Sequence, residues 1–312
     1  VSDPPTSLFT LLTHGEGNLV CEDSNLSMSK EQSDNPAWFS DIDPDDIDAA
    51  ATAITNGAAE DPQNWPTQAV ESEIVEDTTT YYQLLHDAAI TATQNAVESY
   101  EASDDRQLRH CLTAMDDVER TANELTERLT EWGGSRIDDS DTGVDTVREL
   151  ADITPSTPVE TRLTSLATQV LMLYEERDDL RTYIETQAAT VAPNLTAMAG
   201  PVLATRLIEL AGGLKSLARQ PAGTIQVLGA EDALFAHLEG RASAPKHGAI
   251  FTHEYVRGTH PANRGSAARA FAGKLAIAAR IDHYSGTHKQ SIHDELTDRI
   301  ETIRARNKED TA

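Results

Sequence analysis

Cysteine is scarce in this 312-residue chain, which has Cys21 and Cys111. Two are too few for a disulfide framework or a zinc set, and they suit a reducing compartment. Aromatic residues make up 5 % of the chain and hydrophobic residues 39 %. Any core must therefore be small-residue and aliphatic. No apolar run approaches the roughly 18 residues of a membrane-spanning helix. The N-terminus shows no basic segment followed by an apolar stretch, so no signal peptide is expected. A cytoplasmic location and no membrane partner follow as expectations.

Positive charge is also in short supply. The chain has 25 Lys and Arg against 52 Asp and Glu, a net of −27. The acids are spread along the chain rather than gathered in a tail. High net charge is one signature of disorder, but helical periodicities run through most of the sequence. The reading adopted is a carboxylate-rich surface adapted to concentrated salt. At about 1 M salt the Debye length is only about 3 Å, so self-repulsion is screened.

Catalytic signatures are missing as well. No Gly-x-Ser-x-Gly elbow occurs. Gly213-Leu214-Lys215-Ser216 and Gly273-Lys274-Leu275 each lack part of a phosphate loop, and no Gly-x-Gly-x-x-Gly follows a strand. His283, His288 and His293 are spaced by five, which fits one helix face poorly, so no metal site is expected. The sequence does not read as an enzyme.

One block reverses the charge. Asn194 to Gln290 holds 11 basic and 6 acidic residues, a net of +5. A basic block on an acidic chain marks where a polyanion sits, and nucleic acid is the commonest. Its longest irregular stretch, Gly240 to Arg264, carries Lys246, His247, His253, Arg257, His260 and Arg264, interleaved with Phe251 and Tyr255. Such loops suit RNA: cations meet phosphates and flat rings stack on splayed bases. Gly265-Ser266 opens a helix whose amides suit a phosphate.

The rest of the chain reads as mainly α. Residues 1–76 suggest a small α/β domain, with Leu8–Leu12 and Leu19–Cys21 as a hairpin. Trp38 and Phe39 form an aromatic pair there. Residues 77–192 carry a helix at Thr78 to Glu101, followed by two long heptad helices. In the first, Leu108, Cys111, Met115, Val118, Ala122, Leu125, Leu129 and Trp132 alternate spacings of 3 and 4. In the second, Leu163, Leu166, Val170, Leu173, Leu180 and Ile184 continue the same pattern. These a/d seams predict an antiparallel coiled-coil hairpin. Cys111 lies on the seam and reads as a packed thiol. Residues 193–286 read as an all-α domain, and 287–312 as a polar amphipathic helix with a charged tail.

Several runs carry a family resemblance: Pro193-Asn194-Leu195-Thr196, Ala211-Gly212-Gly213-Leu214, Thr224 to Glu231, Ala233-Leu234-Phe235, Pro245-Lys246-His247-Gly248 and Ala272 to Asp282. They resemble the Nop family, and more narrowly its archaeal scaffolds of box C/D guide ribonucleoproteins. The match is specific over about 190–285 and looser back to Leu84. The acidic composition looks haloarchaeal. The family usually has Lys and Arg where this chain has Asp232 and Ala236, and often Lys where it has Ser266.

The resemblance implies a non-catalytic scaffold. Its N-terminal domain would hold the methyltransferase fibrillarin, with Trp38 and Phe39 on that domain. Its coiled coil would pair two copies. Its Nop domain would clamp a guide RNA kink-turn together with the small ribosomal-type protein that binds it. The expected contacts are Gly229, Ala230 and Glu231, then Lys246, His247 and His253, then Arg264, Ser266, Arg269 and Lys274. No cofactor is expected on this chain; S-adenosylmethionine is implied on fibrillarin. The alternative is a coiled-coil assembly protein whose basic domain docks an acidic protein surface.

Overall fold

The computed structural model describes residues 37–40, 42–57, 63–136 and 143–309. The described residues form helices and turns with no strand. The expected α/β character of the N-terminal region is therefore not carried by them. The hairpin read at Leu8–Cys21 lies outside the described residues. One compact unit ends at Ala102 and a second begins at Ser103.

The first unit holds α1 (Ile47–Asn56), α2 (Trp65–Glu71) and α3 (Thr78–Glu101). Asp46 and Asp77 cap α1 and α3 by accepting bonds from Ala49 N and Thr80 N. The core is an aromatic knot. Phe39 is 2 % exposed and meets Trp38, Trp65 and Tyr81 edge-on. Trp38 is half-buried, and its Nε1 donates to the Tyr81 hydroxyl at 3.3 Å. Phe39 can thus serve a partner only by holding this unit together.

In the second unit, α4 (Asp104–Gly133) and α6 (Pro158–Val191) form the antiparallel hairpin, with α5 (Val144–Asp152) packed at its tip. The antiparallel sense follows from two clusters. Leu108, Leu112 and Met115 at the start of α4 meet Ile184 and Ala188 at the end of α6. Leu129 near the end of α4 meets Leu163, Ala167 and Val170 near the start of α6, with Val147 and Leu150 of α5. Thr157 and Glu160 form a capping box that starts α6, with Pro158 in its first turn. Between the clusters polar groups join the buried Ala122. The Tyr174 hydroxyl reaches Thr126 at 2.9 Å and Asn123 at 3.0 Å, and Arg177 lies 5.2 Å over the Tyr174 ring.

The buried stripe is shifted from the one read in the sequence. Leu112, Thr126 and Gly133 are buried, whereas Val118, Leu125, Leu166, Leu173 and Leu180 are half-buried and Trp132 is 44 % exposed. The cause is that α4 packs on α5 and on α8 (Pro201–Ala211) as well as on α6. A helix with several neighbours buries a wider stripe than a two-helix seam.

The C-terminal bundle surrounds α13 (Arg264–Tyr284). It comprises α7 (Pro193–Ala199), α8, α9 (Leu214–Arg219), α10 (Ala222–Val227), α12 (Glu254–Arg257) and α14 (Gln290–Glu309); α11 (Glu231–Leu238) lies at its surface. The small residues of α13 let its neighbours approach: Ala267, Ala268, Ala272, Ala276, Ala278 and Ala279 are all buried. Asp282, also buried, accepts from Asn194 N at 3.0 Å and Leu195 N at 2.9 Å, capping α7. Helix α14 belongs to this core, because Ile292, Leu296, Ile300 and Ile303 are buried in it. Hairpin and bundle are fastened by polar bonds: Asp105 accepts from Leu214 N at 2.9 Å, Arg109 donates to Gly212 O at 3.2 Å, and Arg206 pairs with Asp116.

Candidate nucleic-acid interface

Two segments brought together by backbone bonds build the site. Gln226 Nε2 donates to Lys246 O at 2.7 Å, Gly248 N to Gln226 O at 2.9 Å, and Ala249 N to Leu228 O at 2.7 Å. Gly248 permits this approach, since a Cβ there would lie 2.7 Å from Val227 C and O. Gly229 turns the chain at φ +80°, a conformation that favours glycine. Its N–H donates to Glu231 Oε1 at 2.7 Å. Gly229 and Glu231 are exposed and Ala230 is half-buried, so all three border the loop that carries Lys246.

The loop then forms a layered stack. His247 lies on Phe251 with ring centroids 4.5 Å apart and planes 17° from parallel. Arg264 places its guanidinium carbon 5.4 Å from the Phe251 centroid. Carbonyls aim it: Nε donates to Thr259 O at 3.1 Å and Nη2 to Arg257 O at 3.4 Å. Those bonds fix the group without neutralising it. The stem of Lys246 passes Gly265, with Cδ 3.9 Å from where a Gly265 Cβ would stand. Burial, helped by the charges of Arg264 and Lys246, holds His247 below the ordinary imidazole value. The ring is therefore neutral at pH 7, flat, and beside two cations.

Other expected contacts lie elsewhere. His253 caps α12 with its Nδ1, and its ring sits 4.6 Å from Phe271 and 4.7 Å from Tyr255. Burial pushes its pKa down, with His293 and Arg304 adding to the effect and Glu254 opposing it. This is a packing and capping residue, set among α12, α13 and α14. Lys274 forms an ion pair with Glu295 of α14. Arg269 is exposed and in no ion pair among the described residues, and Ser266 is half-buried near the start of α13. Arg280 donates to Ala218 O and Gln220 O, closing the end of α9. The structure thus gathers Lys246, His247, Arg264 and the loop at Gly229, and sets His253 and Lys274 apart.

Sequence reasoning missed the role of Phe251 as the centre of the stack, and the exposed Phe235 and Leu238 of α11. The four-residue spacing of His247 and Phe251 was the available signal for the first. A cavity of about 590 Å³, lined by Gly200, Pro201, Val202, Leu203, Ala249 and His253 among others, opens behind the loop. Among the described residues no cluster of three or more His, Cys, Asp or Glu could hold a metal ion, and no helix is long and apolar enough to cross a membrane.

Comparison with known proteins adds a second line. A family model described as Nop, "snoRNA binding domain, fibrillarin", matches residues 72–304. A NOP5 family protein of Methanocaldococcus jannaschii is 35 % identical over 257 residues, covering 70 % of this chain and 62 % of that protein. Human Nucleolar protein 56 is 39 % identical over 137 residues, covering 44 % of this chain and 23 % of that protein. The chain thus spans less than two thirds of these relatives' lengths. A crystal structure of a fibrillarin/Nop5p complex covers 83 % of this chain and 91 % of the matched chain, at 26 % identity and a TM-score of 0.49.

Proposed function

The chain belongs to the Nop family, and on that premise we propose that it is the non-catalytic scaffold of a box C/D guide ribonucleoprotein. It joins a guide RNA, the protein bound at that RNA's kink-turn, and fibrillarin, which transfers the methyl group to the 2′ oxygen of the target RNA. On this reading S-adenosylmethionine is bound by fibrillarin, and this chain binds no cofactor. The C-terminal bundle takes the RNA–protein complex and the first unit takes fibrillarin. On this reading the hairpin also carries a homodimer contact.

The observation that carries the reading is the stack at Lys246, His247, Phe251 and Arg264. On a chain of net charge −27, two cations there have no carboxylate partner among the described residues. Arg and Lys are the groups that fix a nucleic-acid backbone, and a neutral ring is the group that stacks on a base. In the salt-rich cytoplasm suggested by the composition, long-range attraction is screened, so recognition works by contact and shape. With Asp232, Ala236 and Ser266 in place of cations, the salt dependence should be shallow and binding should persist in molar potassium chloride.

The test is a shift assay of the full chain on kink-turn RNA loaded with its binding protein, followed by addition of fibrillarin. Formation of a complex containing all four components supports the scaffold. Binding of an acidic protein but not of RNA would favour the alternative assembly role.

A further inference from the structure

Helix α3 has two unlike faces. Tyr81, Leu84, Ala88 and Ala92 are buried in the first unit, and every residue from Thr93 to Tyr100 is exposed. The helix thus runs about two turns past its last buried residue. Helices owe most of their stability to a packed face. On the outer face Tyr82 is 55 % exposed, Ile90 47 %, Val97 54 % and Tyr100 38 %. With the exposed His86 and Thr93 they stand at spacings of 4, 4, 3, 4 and 3. That makes one stripe about 27 Å long. Large apolar side chains gathered in solvent mark a contact surface. Spacings of 3 and 4 are those of a helix seated on another helix.

Charge and symmetry select the occupant. Helix α3 has no Lys or Arg, and its acids, Asp87, Glu98 and Glu101, lie off the stripe. At 100° per residue they fall roughly 80–140° round the helix from its centre. A nucleic acid would find no cation here. A basic protein would find the carboxylates outside the contact. An uncharged stripe on an acid-rich chain suits a second copy of itself. The stripe also reads alike from both ends. About a centre near Thr91, Tyr82 matches Tyr100, His86 matches Val97 and Ile90 matches Thr93. A two-fold contact requires such a self-complementary patch.

We infer that α3 is a self-association surface separate from the hairpin. Two copies pair their α3 helices antiparallel, with Tyr82 of one against Tyr100 of the other. Asp87 then stands level with Asn95 of the second copy and Glu98 with Leu84, so no carboxylate stands level with another. A stripe about 27 Å long and about 10 Å wide covers well under the roughly 800 Å² per partner of a stable complex. The pairing is therefore weak and concentration-dependent. It stands whether or not the chain binds RNA.

The experiment uses the full chain with Cys21→Ser and Cys111→Ala, carrying either Tyr82→Cys or Tyr100→Cys. It is run in molar potassium chloride, where repulsion is screened. Under mild oxidation an equimolar mixture should give a disulfide-linked heterodimer, read by its mass. Each variant alone should give at least about tenfold less, because identical positions then lie about 27 Å apart, beyond disulfide reach. In the otherwise wild-type chain, Ile90→Glu with Val97→Glu should lower the weight-average mass in light scattering at high protein concentration. Both side chains are exposed, so the melting curve should not change. Homodimers of either cysteine variant as abundant as the mixed species would mean parallel pairing or random encounter, and would overturn the inference. No link in the mixture would assign the stripe to a different protein or to residues 1–36 of the same chain, and would overturn it too. An unchanged mass for the glutamate variant would do the same.

Discussion

The surroundings of α13 differ between its N-terminal end and its flank along α14, although both hold histidine and cations. At the N-terminal end, Lys246 and Arg264 have no carboxylate partner among the described residues and His247 stacks outside the core. Along α14, Lys274 is paired with Glu295, Arg304 approaches Glu254 at 3.8 Å, and His253 is packed on Phe271. The same residue types therefore stabilise one region and leave the other open to a ligand. Partner geometry, not residue type, assigns the role.

The largest effect expected lies wholly on the packed side. Asp282→Ala removes the acceptor for two backbone N–H groups and for Asn194 Nδ2. Leaving these donors buried should cost about 3 kcal/mol in denaturant unfolding. The folded fraction should bind RNA as wild type does. Loss of RNA binding in a still folded variant would blur the contrast.

The two histidines sharpen it. His253→Ala should lower stability by about 2 kcal/mol, because it opens a hole against Phe271, and should leave RNA affinity unchanged. His247→Ala should do the reverse, with stability changed by less than about 0.5 kcal/mol and RNA affinity weakened by about 1–3 kcal/mol. Equilibrium unfolding and a shift assay on the same preparations read both. An exchange of these outcomes would invert the assignment.

The pH dependence is a smaller effect. Burial depresses the folded-state pKa of His253, with Glu254, His293 and Arg304 as its charged neighbours. The neutral ring is then the form that the fold favours. Its contribution is complete above the unfolded value of about 6.5 and is lost as pH falls through the depressed value. Wild-type stability should therefore drop on acidification. His253→Phe keeps a ring but not the titration, so its pH profile should be flatter, though lower throughout for want of the α12 cap. Parallel profiles would remove His253 from the account.

Much of the architecture could be read from the chain. The two long helices of the hairpin and the helix that opens at Gly265-Ser266 follow from periodicity and punctuation. The site was legible at Lys246, His247 and Arg264, where charge and aromatics cluster against an acidic background. His253 was not separable from His247 by sequence, since both sit in one loop. Only the fold directs one ring to Phe251 and the other to Phe271. Lys274 likewise looked available, because Glu295 lies on a helix that the sequence presents as a polar appendage. The seam was displaced toward Leu112 because a third and fourth helix pack on α4, which a two-helix pattern cannot register.

The salt dependence of binding tests the central claim most directly. Affinity of the full chain for loaded kink-turn RNA is measured across potassium chloride concentrations for wild type, Lys246→Gln and Lys274→Gln. Each phosphate contact contributes about 0.7–0.9 to the slope of log K against log salt. Lys246→Gln should reduce the slope by about that amount, and Lys274→Gln should leave it unchanged. A reduced slope for Lys274→Gln with an unchanged slope for Lys246→Gln would contradict the account.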